Sequence, residues 1–284
     1  MASEDIGIPA FADSHAHLAD PAFAGDRDEV IARARVAGAA AVISIGSGSG
    51  TEDVLGAAQA SAAIARAHPG FVWFTAGVHP HDALGFDSTR DIAELRALHK
   101  AGAVAIGECG LDYHYDNSPR AEQRLAFDAQ IELASALQIP LVVHTRDAED
   151  DTKSFISAAE NAGVTGVLHC YTGSHALAQH ALAAGWFVSF SGIITFQKWD
   201  DNDLIRMIPA ARILAESDSP YLAPVPTRGK RNEPAWVRHT VERLAEVRGV
   251  QLDAMCSTIL ANTRQFFRLA SETTGEITLP AIQH

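Results

Sequence analysis

The 284-residue sequence predicts an α/β protein built as a single (β/α)8 TIM-type barrel with additional C-terminal helices. Three observations carry that expectation. Short apolar runs alternate with longer segments of helical spacing, the runs number eight, and the length is near the roughly 250 residues typical of such a barrel. Continuous apolar strands between amphipathic helices belong in a parallel sheet covered by those helices. Eight units select the closed ring over the open sheet.

The strands are read at 11–17 (FADSHAH), 40–45, 72–77, 103–107, 139–144, 166–170, 186–192 and 213–218. Helices are expected at 27–37, 52–67, 90–100, 120–137, 149–162, 175–184 and 201–208, followed by 234–248 and 251–270. Residues 1–10 read as a flexible N-terminus, 11–270 as the barrel and 271–284 as a C-terminal tail. Phe266 and Phe267 mark the apolar face of a last helix docking on the barrel.

A net charge of −13 makes the surface as a whole repel nucleic acid and anionic membranes, so a phosphate-bearing substrate needs a local attractive field. The three cysteines, Cys109, Cys170 and Cys256, are odd in number and form no CxxC pair, which argues against a disulfide framework and a cysteine zinc site. No run approaches the roughly 18 apolar residues of a membrane span, and the N-terminus lacks a secretory pattern. The expectation is a cytoplasmic protein with no membrane association and no obligate protein partner.

Chemistry in such barrels sits at the C-terminal ends of the strands. His15 and His17 end the first expected strand, Glu108 follows the fourth, His144 ends the fifth, His169 ends the sixth and Asp218 ends the eighth. Strand residues two apart face the same way, so His15 and His17 share a face. Four imidazoles and two carboxylates are donors enough for two divalent ions, with one carboxylate bridging and positions left open for water. Burying so many ionisable groups without a cation would be costly. Asp13 faces the same way and reads as a partner fixing a histidine tautomer. By ligand type the set favours zinc or manganese, since magnesium prefers oxygen donors.

The ordered motifs SHAH (14–17), GVHPH (77–81), GECGLDY (107–113), VVHTRDA (142–148), HCYTGS (169–174), FSGIITF (190–196), ESDSPYL (216–222) and RGKRNEP (228–234) resemble the TatD family of metal-dependent hydrolases, from about residue 11 to 268. The resemblance implies an amidohydrolase-type deoxyribonuclease using two divalent metal ions, with magnesium the family's metal, and acting as a 3′-5′ exonuclease on single-stranded DNA or RNA ends. Carried onto this chain, it implies His15, His17, Glu108 and Asp218 on one ion and Glu108, His144 and His169 on the other. Glu108 bridges, and Asp218 serves as general base toward the attacking water. Ser217 stands where relatives often have threonine.

His79, His81, Arg146 and, in the basic RGKR loop, Arg228 and Lys230 read as substrate contacts. GSGSG at 46–50 lacks the Walker lysine and reads as a loop. Cys109 and Cys170 read as buried thiols. His68, His99, His114, His175, His180, His239 and His284 are read as structural or surface residues. Two functions remain in competition: a phosphodiesterase acting on nucleic-acid ends, and a hydrolase of a carbon centre such as an amide, lactone or acyl ester, whose carbonyl the same ions would polarise.

Overall fold

A computed structural model of the chain describes residues 8–47 and 54–269. Among these, eight strands alternate with helices: β1 (Phe11–Ala16), α1 (Arg27–Val36), β2 (Ala39–Ser44), α2 (Gly56–Ala67), β3 (Val72–Phe74), α3 (Arg90–Lys100), β4 (Ile106–Asp112), α4 (Arg120–Leu137), β5 (Leu141–Arg146), α5 (Glu149–Asn161), β6 (Gly166–Leu168), α6 (His175–Ala183), β7 (Phe187–Phe190), α7 (Asn202–Met207) and β8 (Ile213–Ala215). Two further helices follow, α8 (Val237–Arg248) and α9 (Leu252–Phe267).

All strand pairs are parallel, in the order β1-β2-β3 and β4-β5-β6-β7-β8. Single parallel bridges join the two groups at both seams, Ala76 to Ile106 and Ala16 to Ser219. Backbone hydrogen bonds Gly107 N to Ala76 O and Asp218 N to His15 O reinforce them. The ring of strands is an α/β barrel.

Alternation along the strands explains where the apolar side chains go. One set, including Ala12, Ile43, Val142, Val167, Phe187 and Leu214, packs together with Phe266 and Phe267 of α9. The other set, including Val42, Leu141, Val143, Leu168 and Val188, packs under the outer helices. The last helix therefore docks on the barrel through its two phenylalanines, as expected, and they pack against the interior set. Parity then carries the interior face upward: Val142 leads to His144, Val167 to His169, and Leu214 through Glu216 to Asp218.

Strand boundaries differ from expectation in an instructive way. Strands β3, β6 and β8 are only three residues long, because the residues after them leave the ladder and present side chains. Strand β4 runs to Asp112 instead of stopping at 107, pairing Gly110 with His144 and Asp112 with Arg146. Apolar content cannot reveal this, since the added stretch is rich in glycine and carboxylates. Gly110 permits the pairing: its φ is +127°, and a Cβ there would stand 2.0 Å from the His144 carbonyl oxygen. The expected N-terminus up to residue 7, the tail from 270, His284 and the 48–53 part of the GSGSG region lie outside the described residues.

Candidate metal centre

Loops that carry the site are anchored by the helix behind them. Gln130 of α4 accepts from Val78 N at 2.8 Å and donates to Val78 O at 3.1 Å, holding the segment that bears His79 and His81. Gln123, also buried on α4, accepts from Asp112 N at 2.8 Å and donates to Asp112 O and Ser118 O. A buried amide that satisfies backbone groups on both sides is a strong local constraint. Neither glutamine announces itself in the sequence.

The six residues expected to converge do so, and Glu108 stands between them. Its Oε1 is 2.8 Å from His169 Nε2, 3.3 Å from His144 Nδ1 and 3.3 Å from His79 Nε2. Its Oε2 faces the other way, 3.5 Å from His15 Nε2 and 3.8 Å from His17 Nε2. Asp218 Oδ1 completes that second side at 3.5 Å from His17 Nε2 and 3.8 Å from His15 Nε2. Three overlapping donor groups have their ligand atoms within 4.8 Å of one another: His15, His17 and Asp218; His15, Glu108 and His169; His79, Glu108 and His144. His79, expected only at the substrate, thus lies against the central carboxylate.

Electrostatics favour a cation here. Burial alone would raise the Glu108 carboxyl, yet His169, His79, His144 and His15 hold it well below the usual carboxylate range. Burial also opposes ionisation of Asp218, and its hydrogen bond to His17 with the charges of His15 and His169 outweighs that cost. Burial would lower the His169 pKa, but Glu108 and Glu216 raise it well above the ordinary value. Burial pushes His79 down to about 4. Ionised carboxylates here are balanced by protons on imidazoles, and divalent ions can take over that balance by displacing the protons. The donor set, nitrogen-rich and converging on a shared carboxylate, fits divalent metal.

Around this centre lies a cavity of about 850 Å³, lined by His17, His81, Tyr115, Arg146 and Tyr221 among others. Arg146 is exposed, with its guanidinium 4.8 Å from the Tyr115 ring centroid, and no carboxylate pairs with it among the described residues. Arg228 is not part of this lining: its guanidinium lies 3.6 Å over the Phe196 ring. Lys230 is exposed on the same loop and likewise absent from the lining. Stacking on an aromatic face gives the Arg228 cation a partner in place of a carboxylate.

Asp13 does not meet a histidine ring as expected. Its Oδ1 accepts from the backbone N–H groups of His15 and Ser217, pinning the β1 seam, and its buried Oδ2 has no hydrogen-bond partner among the described residues. Burial pushes its carboxyl up to about 8. Two carboxylates that sequence reasoning passed over take the ring contacts instead. Asp112 Oδ2 is 3.1 Å from His144 Nε2 and 2.9 Å from His81 Nε2, and Glu216 Oε1 is 3.3 Å from His169 Nδ1. Strand parity is the signal that was available, because Asp112 shares its phase with Glu108 and Glu216 shares its phase with Asp218.

Other polar candidates resolve as structural. His68, His114, His175 and His239 pair with Asp28, Asp147, Asp201 and Glu242, His180 bonds Ser157, and His99 bonds the Ala103 carbonyl. Burial pushes the Cys109 and Cys170 thiols well above their ordinary range, leaving little thiolate for nucleophilic attack.

A parallel barrel that gathers imidazoles and carboxylates at its strand ends defines a hydrolase of the metal-dependent class. The chain belongs to the TatD related DNase family, whose model matches residues 12–268. It is 36% identical over 273 residues to the 3'-5' ssDNA/RNA exonuclease TatD of a Pantoea species, covering 94% of this chain and 99% of that protein. It is 35% identical over 267 residues to YabD of Bacillus subtilis, an uncharacterized metal-dependent hydrolase, covering 90% and 98% respectively. The crystal structure of YjjV, a TatD homolog from Escherichia coli, superimposes with a TM-score of 0.81 at 25% identity, covering 93% of this chain and 100% of that one. No helix among the described residues is long and apolar enough to cross a membrane.

Proposed function

We propose that this protein removes nucleotides from the 3′ end of single-stranded DNA or RNA by divalent-metal-dependent phosphodiester hydrolysis. One observation carries the reading. Glu108 directs its two oxygens at two separate donor clusters, the arrangement a carboxylate shared by two cations requires. In this assignment His15, His17, Glu108 and Asp218 hold one ion, and Glu108, His144 and His169 hold the other, with magnesium, manganese or zinc as the metal. Divalent ions held there supply Lewis acidity, easing ionisation of water and offsetting charge on the phosphoryl oxygens.

The chain's own residues do the rest. Asp218 accepts the proton of the attacking water at its carboxylate, for which its ionised state at neutral pH is the required form. Arg146, free of any carboxylate partner among the described residues, grips a substrate phosphate at the mouth, and His79 lines the cavity beside Glu108. Divalent ions held at the centre, together with Arg146, would give this acidic protein the local field that a nucleic-acid end needs. Arg228 plays no part in this scheme.

The test is to strip the enzyme with chelator and offer it 5′-labelled and 3′-labelled single strands, restoring magnesium, manganese or zinc in turn, with Asp218→Asn as control. Immediate loss of the 3′ label, a descending ladder from the 5′ label and silence in the variant support the reading. No cleavage with any of the ions refutes it and directs the same protein to ester and amide substrates.

A further inference from the structure

The two histidines beside Glu108 Oε1 are mounted in opposite senses. His144 offers Nδ1 to Glu108 at 3.3 Å and turns Nε2 to Asp112 Oδ2 at 3.1 Å. His169 offers Nε2 to Glu108 at 2.8 Å and turns Nδ1 to Glu216 Oε1 at 3.3 Å. A neutral imidazole carries one proton, and the nitrogen that keeps it cannot ligate. We propose that Asp112 and Glu216 are positioning residues that lock opposite tautomers, Nε2–H in His144 and Nδ1–H in His169, so that each ring turns its bare nitrogen toward the metal centre. The inference rests on reading both histidines as ligands.

Both carboxylates are built to hold still. Asp112 is fully buried, and its Oδ1 accepts from the His114 and Tyr115 amides at 3.0 and 2.9 Å while Gln123 grips its backbone from behind. Glu216 is fully buried as well, and its Oε1 also accepts from Cys170 N at 2.6 Å, tying the carboxylate to the residue after the histidine it orients. Neither pairs with a lysine or arginine among the described residues. Glu216 Oε2 is buried with no hydrogen-bond partner among the described residues. Keeping a buried carboxylate without a cation costs stability; Glu216 holds one ring nitrogen in return, and Asp112 Oδ2 holds two, His144 Nε2 and, at 2.9 Å, His81 Nε2. Among the described residues no carboxylate holds the far nitrogen of His15 or His17: Asp13 bonds backbone, and His15 Nδ1 is buried without a partner. Among those residues, carboxylates orient rings on one half of the centre.

That asymmetry sets the test. Manganese binding is titrated by calorimetry and by electron paramagnetic resonance in wild type, Asp112→Asn and Glu216→Gln, which keep side-chain size and an acceptor oxygen. Melting of each metal-free protein is followed in parallel. Long-range nitrogen-15 spectra of histidine-labelled, zinc-loaded wild type read the tautomers directly. The expected result is about 10–100-fold weaker binding at one of two manganese sites in either variant, the other site unchanged and metal-free melting near wild type, with the proton on His144 Nε2 and His169 Nδ1. Unaltered affinities in folded variants, with only their melting lowered, would make both residues structural and overturn the proposal, as would a proton on either opposite nitrogen. Wild type that binds no manganese would overturn the ligand assignment and this inference together.

Discussion

Replacing Gly110 by alanine should damage the fold and the centre through one contact. The new Cβ would stand 2.0 Å from the His144 carbonyl oxygen, where carbon and oxygen normally approach no closer than about 3.3 Å, so β5 must retreat by about 1 Å. A side chain at a φ of +127° adds about 1–3 kcal/mol of backbone strain. Losing one hydrogen bond of the β4–β5 ladder adds about 1 kcal/mol more. A total of about 2–4 kcal/mol lowers the melting temperature by roughly 5–15 °C for a domain of this size. The same retreat moves His144 away from Glu108, and a misplacement of about 1 Å in a catalytic centre costs on the order of 100-fold in turnover. Melting of the chelated protein by circular dichroism and turnover on single-stranded DNA with saturating manganese measure the two effects. Gly163→Ala is the control: its φ is +72° with nothing within 4 Å of an added Cβ, so it carries strain without a clash and should leave turnover intact. A Gly110→Ala protein that melts with wild type and turns over normally would refute the reasoning.

Three other outcomes are expected. Asp218→Asn should fold and lose about 10²–10⁴-fold in turnover, the usual contribution of a positioned general base, which single-turnover kinetics would measure. Arg146→Ala should raise KM about 10–100-fold, since a hydrogen bond to a charged group contributes about 1.5–3 kcal/mol, whereas Arg228→Ala should change it by no more than about twofold; steady-state kinetics on one oligonucleotide compares them. Asp26 is held at about 2 by its hydrogen bond to Arg231, below its ordinary 3.8. Its folded pKa being depressed, its stabilising contribution is complete above pH 3.8 and lost as pH falls through about 2. Urea midpoints of wild type and Asp26→Asn should accordingly differ at pH 7 and converge across that window.

The barrel was legible because its signal is periodic and repeated eight times over, and the six converging residues were legible because histidine and carboxylate at apolar strand ends are conspicuous. What escaped lacked that contrast. The continuation of β4 through GECGLD hides in glycines and acids, whose strand conformation depends on β5 beside them. Asp112 and Glu216 lie within the motifs GECGLDY and ESDSPYL yet act on rings supplied by β5 and the segment after β6, a relation of space and not of sequence. The stacking of Arg228 on Phe196 was not legible, because a basic loop near the mouth reads the same whichever aromatic ring its cations cover. Gln123 and Gln130 look like any polar residues on a helix until the loops they grip are seen.

The seam between the two ends of the barrel has a consequence for synthesis. Asp218 meets His15 and His17 only after Ser219 bridges Ala16 and the Asp218 amide finds the His15 carbonyl. The histidines are synthesised about two hundred residues ahead of the aspartate. A growing polypeptide therefore carries half of a donor group with nothing to complete it. The order in which its parts emerge leaves that donor group open until the ring closes.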